Sequence, residues 1–307
     1  MLLAILSTRG NSQSVSSGDG KWEAGLSFGP MFFLGDLGGS AGIGKPFVKD
    51  LDFPLTNLSK TIYAAYYPSE LFGFRLAINH GVLKGDDAKA PNKGGAEVDR
   101  LQRNLSFKSS ILEAHLVAEI YPTVLFEQYD EMKGKLRPYV LGGIGYFHMN
   151  PKAKLNGEWV ALQPLHLEGQ GFVAGRKDYK LWNMELPFGA GIKYWLKENM
   201  YIGLEVMHRT TFTDYMDDVS TGYVDVNSFS TIHAGDPVKI NQASALYYRG
   251  TYAGVGGPTS NSVIQSFQRG DPTENDAYFS STFRIGWRLN SAEDQRSRRQ
   301  LRCPVFY

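Results

Sequence analysis

The chain has 307 residues, 42% of them hydrophobic and 21% charged, and its 32 Lys and Arg against 31 Asp and Glu leave a net charge of +1. That balance gives no electrostatic basis for recruiting nucleic acid or an anionic surface. The single cysteine, Cys303, excludes an intrachain disulfide and a multi-thiol metal site, and no run approaches the roughly 18 to 20 apolar residues of a spanning helix.

At the amino terminus, Leu2 to Leu6 is too short for the hydrophobic region of a secretory signal and no basic residue precedes it. Residues 1–20 therefore read as a signal-like or disordered segment whose start is truncated or mis-set. A first strand runs from Lys21 to Phe33, with Trp22, Ala24, Leu26 and Phe28 opposite Lys21, Glu23, Gly25, Ser27 and Gly29. After the loop Gly35 to Pro54, a second strand (Leu58 to Tyr67) turns at Pro68-Ser69-Glu70 into a third (Phe74 to Val82). That third strand carries Arg75, Ala77, Asn79 and Gly81 on its polar side and His80 as the one polar residue on its apolar side. A polar loop containing Gly85-Asp86-Asp87 and Asn92-Lys93-Gly94-Gly95 leads to the fourth strand (Ser110 to Tyr121), where Leu112, Leu116 and Ile120 oppose Glu113, His115 and Glu119.

The turn Pro122 to Leu136 precedes a glycine-rich fifth strand from Arg137 to Tyr146, and a long loop then reaches Lys180. In the sixth strand, Asn183 to Tyr194, Met184, Leu186, Phe188 and Ile192 alternate with Glu185, Gly189, Gly191 and Lys193. Lys197-Glu198-Asn199 turns into a seventh strand with Ile202, Leu204 and Val206 against Gly203, Glu205 and Arg209. The longest loop, Thr211 to Asn275, precedes an eighth strand in which Phe279, Phe283, Ile285 and Trp287 oppose Ser280, Thr282, Arg284 and Arg288. Segments of about ten residues pairing an apolar face with a face of glycine and charge are the pattern of a transmembrane β-barrel.

The same alternation would also serve a soluble lipocalin-like barrel with its faces exchanged. Connection lengths separate the two: those after strands one, three, five and seven are long and those after two, four and six are shorter, an asymmetry of outer-membrane barrels. Trp22, Tyr66, Tyr67, Phe74, Tyr121, Tyr139, Tyr194, Trp195, Tyr201 and Trp287 fall at strand ends on the short-turn rim, where an interfacial girdle would lie. The expected fold is all-β: an eight-stranded antiparallel transmembrane β-barrel over 21–290, with short periplasmic turns, long extracellular loops and a periplasmic tail over 291–307. Its location would be the outer membrane, with both termini periplasmic.

With the apolar face against lipid, Glu23, Glu113, Glu119, Glu185 and Glu205 share the interior with Arg75, Arg137, Lys193, Arg209, Arg284 and Arg288. An eight-stranded barrel is just wide enough to be filled by its side chains, so these charges should plug it and exclude a porin role. General acid and base work by the carboxylates would need a cleft that a plugged lumen lacks. His115 has no G-x-S-x-G elbow or spaced serine and acid to make a triad, and reads as a satisfied interior histidine. Asp214, Asp217, Asp218 and Asp225 make an oxygen-rich run that could hold calcium, but without EF-hand spacing, and turn-forming or solvated acids are the plainer reading. The tail concentrates Arg296, Arg298, Arg299 and Arg302, either solvated or docking a partner. No motif supplies a catalytic residue, a cofactor site or a metal site.

Five blocks carry a resemblance: Leu34-Gly35-Asp36-Leu37, N-L-S-F-K-S from Asn104, G-G-I-G-Y-F-H-M-N-P from Gly142, L-Q-P-L-H-L-E-G-Q-G from Leu162 and T-F-T-D-Y-M-D-D-V-S from Thr211. Together the chain resembles the PorG-like outer-membrane barrels of Bacteroidota over about Trp22 to Leu289. The resemblance implies an accessory component of the type IX secretion system, associated on the periplasmic side with the ring formed by a lipoprotein and its partner. The barrel would be an anchor and not an enzyme. A surface-binding or envelope-stabilising barrel that works through its long loops is the alternative.

Overall fold

Strict alternation of large apolar residues with small or charged ones gives long strands whose two faces differ in kind. The computed structural model describes residues 20–37, 57–89, 97–125, 135–197, 199–250, 264–265 and 268–289. The arginine-rich tail with Cys303, and most of the first twenty residues, lie outside the described residues. In chain order the strands are β1 (Lys21–Leu34), β2 (Asn57–Tyr67), β3 (Phe72–Asp86), β4 (Ser106–Ile120), β5 (Leu136–His148), β6 (Pro151–Leu155), β7 (Glu158–Ala161), β8 (Trp182–Lys197), β9 (Met200–Thr211) and β10 (Ala277–Arg288).

Eight of these close on themselves in the order β3-β2-β1-β10-β9-β8-β5-β4, with β4 pairing back to β3 from Phe72↔Ile120 to Asp86↔Ser106. Every pairing is antiparallel. Closure leaves the barrel no hydrogen-bonding edge, which is the condition for crossing a bilayer with strands. Glu23 of β1 lies opposite Arg288 of β10, so the barrel begins and ends at the same rim as the short turns.

The apolar face is turned outward. Ile62, Leu76 and Leu204 are 56%, 58% and 59% exposed, while Ala77 and Val117, one residue from an outward neighbour, are buried. This continuous apolar surface around all eight strands far exceeds the few hundred Å² tolerated on a water-soluble monomer, and it is a lipid-facing belt. His80, on that outer face, bonds the hydroxyl of Ser110 across the β3–β4 pair at 3.2 Å.

The structure departs from the sequence expectation in three places. First, β3 and β4 run on to Asp86 and start from Ser106, because Leu83, Phe107 and Asp87 are buried under the long loops and Asp87 is no solvated loop residue. Second, the loop after β5 contains the hairpin β6–β7, which extends β4 through Lys108↔Lys152 and Ser109↔Pro151. Short helices α1 (Glu97–Arg103), α2 (Ser228–Ile232) and α3 (Pro237–Leu246) also fold within the long connections. Third, the aromatic girdle is thinner than expected: Trp22, Tyr66, Phe74, Tyr194 and Trp287 face out, but Tyr67, Tyr121, Tyr139 and Tyr201 are buried inside. Strand parity is the reason, since Tyr66 and Tyr67 must take opposite faces.

Because Leu76 lies within β3 with its side chain in the belt, Leu76→Arg is expected to destabilise the barrel by about 2–4 kcal/mol in a bilayer. Urea unfolding of protein refolded into lipid vesicles measures this, and an unchanged midpoint would mean that lipid does not cover this face.

Candidate functional site

The interior is two tiers of ionic side chains. In the lower tier, nearer the short turns, Glu119 of β4 takes Arg75 of β3 at 3.2 Å, Arg284 of β10 at 3.2 Å and Lys193 of β8 at 3.2 Å. Glu205 of β9 takes the same two guanidinium groups at 2.8 and 2.9 Å, and Glu23 of β1 takes Lys193 at 3.0 Å. Three carboxylates thus meet three cations supplied by different strands, all buried. The rings of Tyr67, Tyr121, Tyr139 and Tyr201 surround the Lys193 ammonium at 4.6, 5.3, 5.6 and 4.7 Å, a cation–π cage that adds to its ion pairs.

In the upper tier Arg209 of β9 bonds Glu113 of β4 at 3.1 Å and the Ser280 hydroxyl at 2.7 Å. Asn79 donates to Glu113 at 2.8 Å, Tyr278 donates to Glu185 of β8 at 2.5 Å, and His115 Nδ1 lies against the Glu113 carboxylate. The expected interior charges are therefore where parity put them, except that Arg137 and Arg288 lie nearer the rim and are only partly buried. There Glu70 of the β2–β3 turn pairs with Arg137 and Lys21, while Arg288 stacks over Trp195 at 4.1 Å.

Above the upper tier the long connections fold into a cap with its own apolar core, including Leu37, Leu105, Leu165, Leu167, Met216, Val219, Phe229 and Leu246, continuous with Met31, Leu83 and Phe147 of the barrel mouth. Glu168 is its centre: it accepts from the backbone N–H of Ser220 and Thr221 at 3.0 Å each and pairs with Arg269 at 2.8 Å. Arg103 clamps Asp87 through Nε and Nη2 at 2.8 and 2.9 Å and donates to the carbonyls of Asp36 and Arg269. The five blocks that carry the family resemblance converge here: Leu37, Leu105, Phe107, Phe147, Met149, Leu165, Leu167 and Met216 all lie in the cap core.

The acidic run does not act as a set of solvated turn acids. Asp217 is buried and accepts from the N–H of Leu37 at 3.0 Å and of Val219 at 2.9 Å. Asp218 is buried as well, accepting from the Tyr179 hydroxyl at 2.7 Å and facing Arg269 at 3.5 Å. Asp225 is exposed and bonds the N–H of Asn227 at 2.8 Å, so the four acids do not converge on one point. The missing signal was tertiary: nothing in the sequence couples Glu168 to Arg269, or Asp87 to Arg103, and loop residues have no period that would reveal a buried face.

Burial shifts these cap acids upward. Desolvation raises Asp218 to about 7 against the opposing pull of Arg269 and the Tyr179 hydroxyl. Desolvation, reinforced by Asp36, Glu168 and Asp271, raises Asp214 to about 8 against a hydrogen bond from Ser220.

The family model described as "Domain of unknown function (DUF6089)" matches residues 14–237. The chain belongs to the DUF6089 family. Within this DUF6089 member the matched residues span β1 to β9 and the cap's Asp36, Asp87, Arg103, Glu168, Asp214, Asp217 and Asp218, whereas Arg269 and β10 follow them. No curated protein matches the chain in sequence. Among solved structures, similarity extends to Ail, the attachment invasion locus protein of Yersinia pestis, at 8% identity and a TM-score of 0.35 over 88% of this chain and 97% of that one. Neisserial surface protein A (NspA) is similar at 10% identity and 0.36, over 90% and 100%. The outer membrane protein OprG from Pseudomonas aeruginosa is similar at 11% and 0.34, over 91% and 99%. The closed eight-strand order stands on its own hydrogen bonds.

Glu119→Ala would leave three buried cations, Arg75, Arg284 and Lys193, with two carboxylates, Glu205 and Glu23, and a loss of about 3–5 kcal/mol is expected, as for breaking other buried ion pairs. Chemical unfolding in detergent checks this. For the cap, the sign follows from linkage: Asp214 and Asp218 hold protons more tightly folded than unfolded. The stability this adds is complete below the ordinary carboxylate pKa near 3.8 and is lost as pH rises through about 7 to 8. Proteolysis of the cap in the intact barrel should therefore be faster at pH 9 than at pH 6, and Asp214→Asn together with Asp218→Asn should flatten the difference.

Proposed function

We propose that this chain is a non-enzymatic outer-membrane anchor, an accessory component of the type IX secretion system that holds the periplasmic ring complex to the membrane. The observation that carries the anchoring part is the sealed lumen: three carboxylates and three cations interlock across the barrel beneath a packed cap, leaving the belt and the two rims to meet other molecules. An anchor needs a lipid-facing surface and a rim to hold, and it needs no conduit. Support for the secretion role comes from the PorG-like blocks. On this reading the short-turn rim, where β1 begins and β10 ends, faces the periplasm and receives the ring lipoprotein and its partner through the turn after β4 and the C-terminal tail.

A second reading, a surface-binding barrel, is favoured by apolar side chains exposed on the cap: Trp159, Phe172, Val173 and Val238. In it the cap, facing outward, binds a partner directly.

Affinity purification of the full chain from membranes in mild detergent separates the two. Co-recovery of the periplasmic ring lipoprotein is expected, and recovery of the barrel without any ring component would overturn the secretion role. In planar bilayers the same protein is expected to give no steady single-channel current, and a stable conductance would overturn the anchor.

A further inference from the structure

The lower tier of the lumen is balanced, three carboxylates to three cations, but the upper tier is not. Glu113 and Glu185 share a single guanidinium, Arg209, and the other ionisable group beside them is His115, so with a neutral imidazole two negative charges meet one positive. Both carboxylates are completely buried, and Glu185 Oε1 has no hydrogen-bond partner. A buried carboxylate oxygen left in that state costs free energy unless a cation or a proton occupies the space beside it.

The backbone makes the space. His115 of β4 lies opposite Gly145 of β5, and Gly145 lies opposite Glu185 of β8, so the three residues form one row across three strands. Gly145 stands where a side chain would separate the other two, and a Cβ there would fall 2.5 Å from Glu185 Oε1. The glycine therefore lets Glu185 reach across β5 towards the neighbouring strand. One donor atom from each of Glu113, His115 and Glu185 lies within 4.8 Å of the others, and among the described residues no other set of His, Cys, Asp and Glu side chains converges in this way. The remaining oxygens are already oriented, Glu113 Oε2 by Asn79 at 2.8 Å and Glu185 Oε2 by Tyr278 at 2.5 Å, as outer-shell partners orient metal ligands.

We propose that Glu113, His115 and Glu185 bind a divalent first-row transition ion, with zinc as the probe, sealed within the barrel. Two carboxylate oxygens and one imidazole nitrogen suit zinc, which leaves a fourth position for water. Tetrahedral zinc holds its ligands about 3.4 Å apart, so binding brings the wider-spaced donors closer and moves His115 Nδ1 off the Glu113 oxygen it now touches, shifts within reach of side-chain rotation. Charge closes as well: zinc taken up during refolding with one bound hydroxide, its water's proton released to the solvent before the barrel closes, carries a net +1 and cancels the one unmatched carboxylate. The ion would tie β4 to β8 across β5 and reinforce the barrel immediately below the cap. The rival occupant is a single proton shared by Glu113 and Glu185.

The test is refolding of the full chain into detergent with zinc or with cobalt(II), followed by washing with a weak chelator and elemental analysis. Close to one zinc per chain is expected, with visible absorption from tetrahedral cobalt and a thermal transition that falls when a strong chelator is added. Glu185→Gln and His115→Ala should each lower retained zinc by about tenfold or more, the scale on which even outer-shell losses act. Should either variant fail to show the heat-modifiable mobility of a folded barrel, the wild-type cobalt spectrum and zinc content decide alone. Wild-type protein that retains no zinc, shows no tetrahedral cobalt bands and melts identically with and without chelator would overturn the site in favour of the shared proton.

Discussion

A charge enclosed by eight strands has no bulk water to fall back on, and in the lower tier of the lumen every ionic side chain finds its counterion on another strand. This constraint organises the molecule. Lys193 takes tyrosine rings from the neighbouring strands β5 and β9, but its carboxylate partners lie further round the barrel, Glu23 on β1 and Glu119 on β4. Glu119 and Glu205 in turn share Arg75 and Arg284, so four strands are tied through two guanidinium groups. Such a network adds little net stability over an apolar filling of equal volume, because desolvation offsets most of the Coulomb gain. It does specify register: sliding any one strand by a residue would send its charge into lipid and leave partners alone in the lumen.

The outward face follows from the same rule. Once the polar set is enclosed, the apolar set has to face away, and alternation with period two carries that division to every strand. This is why strand positions, interior charges and the eight-strand count were legible in the sequence. Glu113, Glu119, Glu185, Glu205, Arg75 and Lys193 are each fixed inside by an apolar neighbour on either side, and Arg209 shares the parity of Glu205 on β9. The tyrosines show where the reading failed. Aromatic residues at strand ends look alike in sequence, but Tyr67, Tyr121, Tyr139 and Tyr201 belong to the inner parity and cage Lys193, while Trp22 and Tyr66 pack tilted against each other, ring centroids 4.8 Å apart, on the outside.

The cap was not legible in this way, and the reason is physical. Its side chains are fixed by contacts between segments far apart in the chain, such as Arg269 with Glu168 and Leu37 N–H with Asp217. Acidic residues in a polar stretch look like turn formers, and Asp217 and Asp225 are such, each accepting from the N–H two residues on. What the sequence hides is burial: Asp217 also takes the Leu37 N–H, and Asp218 takes a tyrosine hydroxyl and an arginine, because the chain between β9 and β10 is long enough to double back over the mouth and bury them. The blocks that carry the family resemblance lie here, so they encode a folded lid more than an exposed contact surface.

Lid and barrel are mechanically one piece at the mouth. Asp276, immediately before β10, accepts from Met216 N–H at 2.7 Å, and its carbonyl accepts from the Thr211 hydroxyl at the end of β9 at 2.6 Å. Met31 and Tyr278 belong both to the barrel wall and to the cap core. Opening the cap would therefore expose apolar side chains and strip partners from buried acids at the same moment, which makes it a poor gate and a good plug. With the belt committed to lipid and the lumen to its own ion pairs, the surfaces left for recognition are the two rims. The short-turn rim offers charged side chains that are only partly buried, Lys21, Glu70, Arg137 and Arg288, while the opposite end offers a preformed cap with exposed aromatic side chains. The two ends of the barrel are thus chemically distinct, one ionic and one carrying apolar side chains, and they are joined by a lumen filled with side chains.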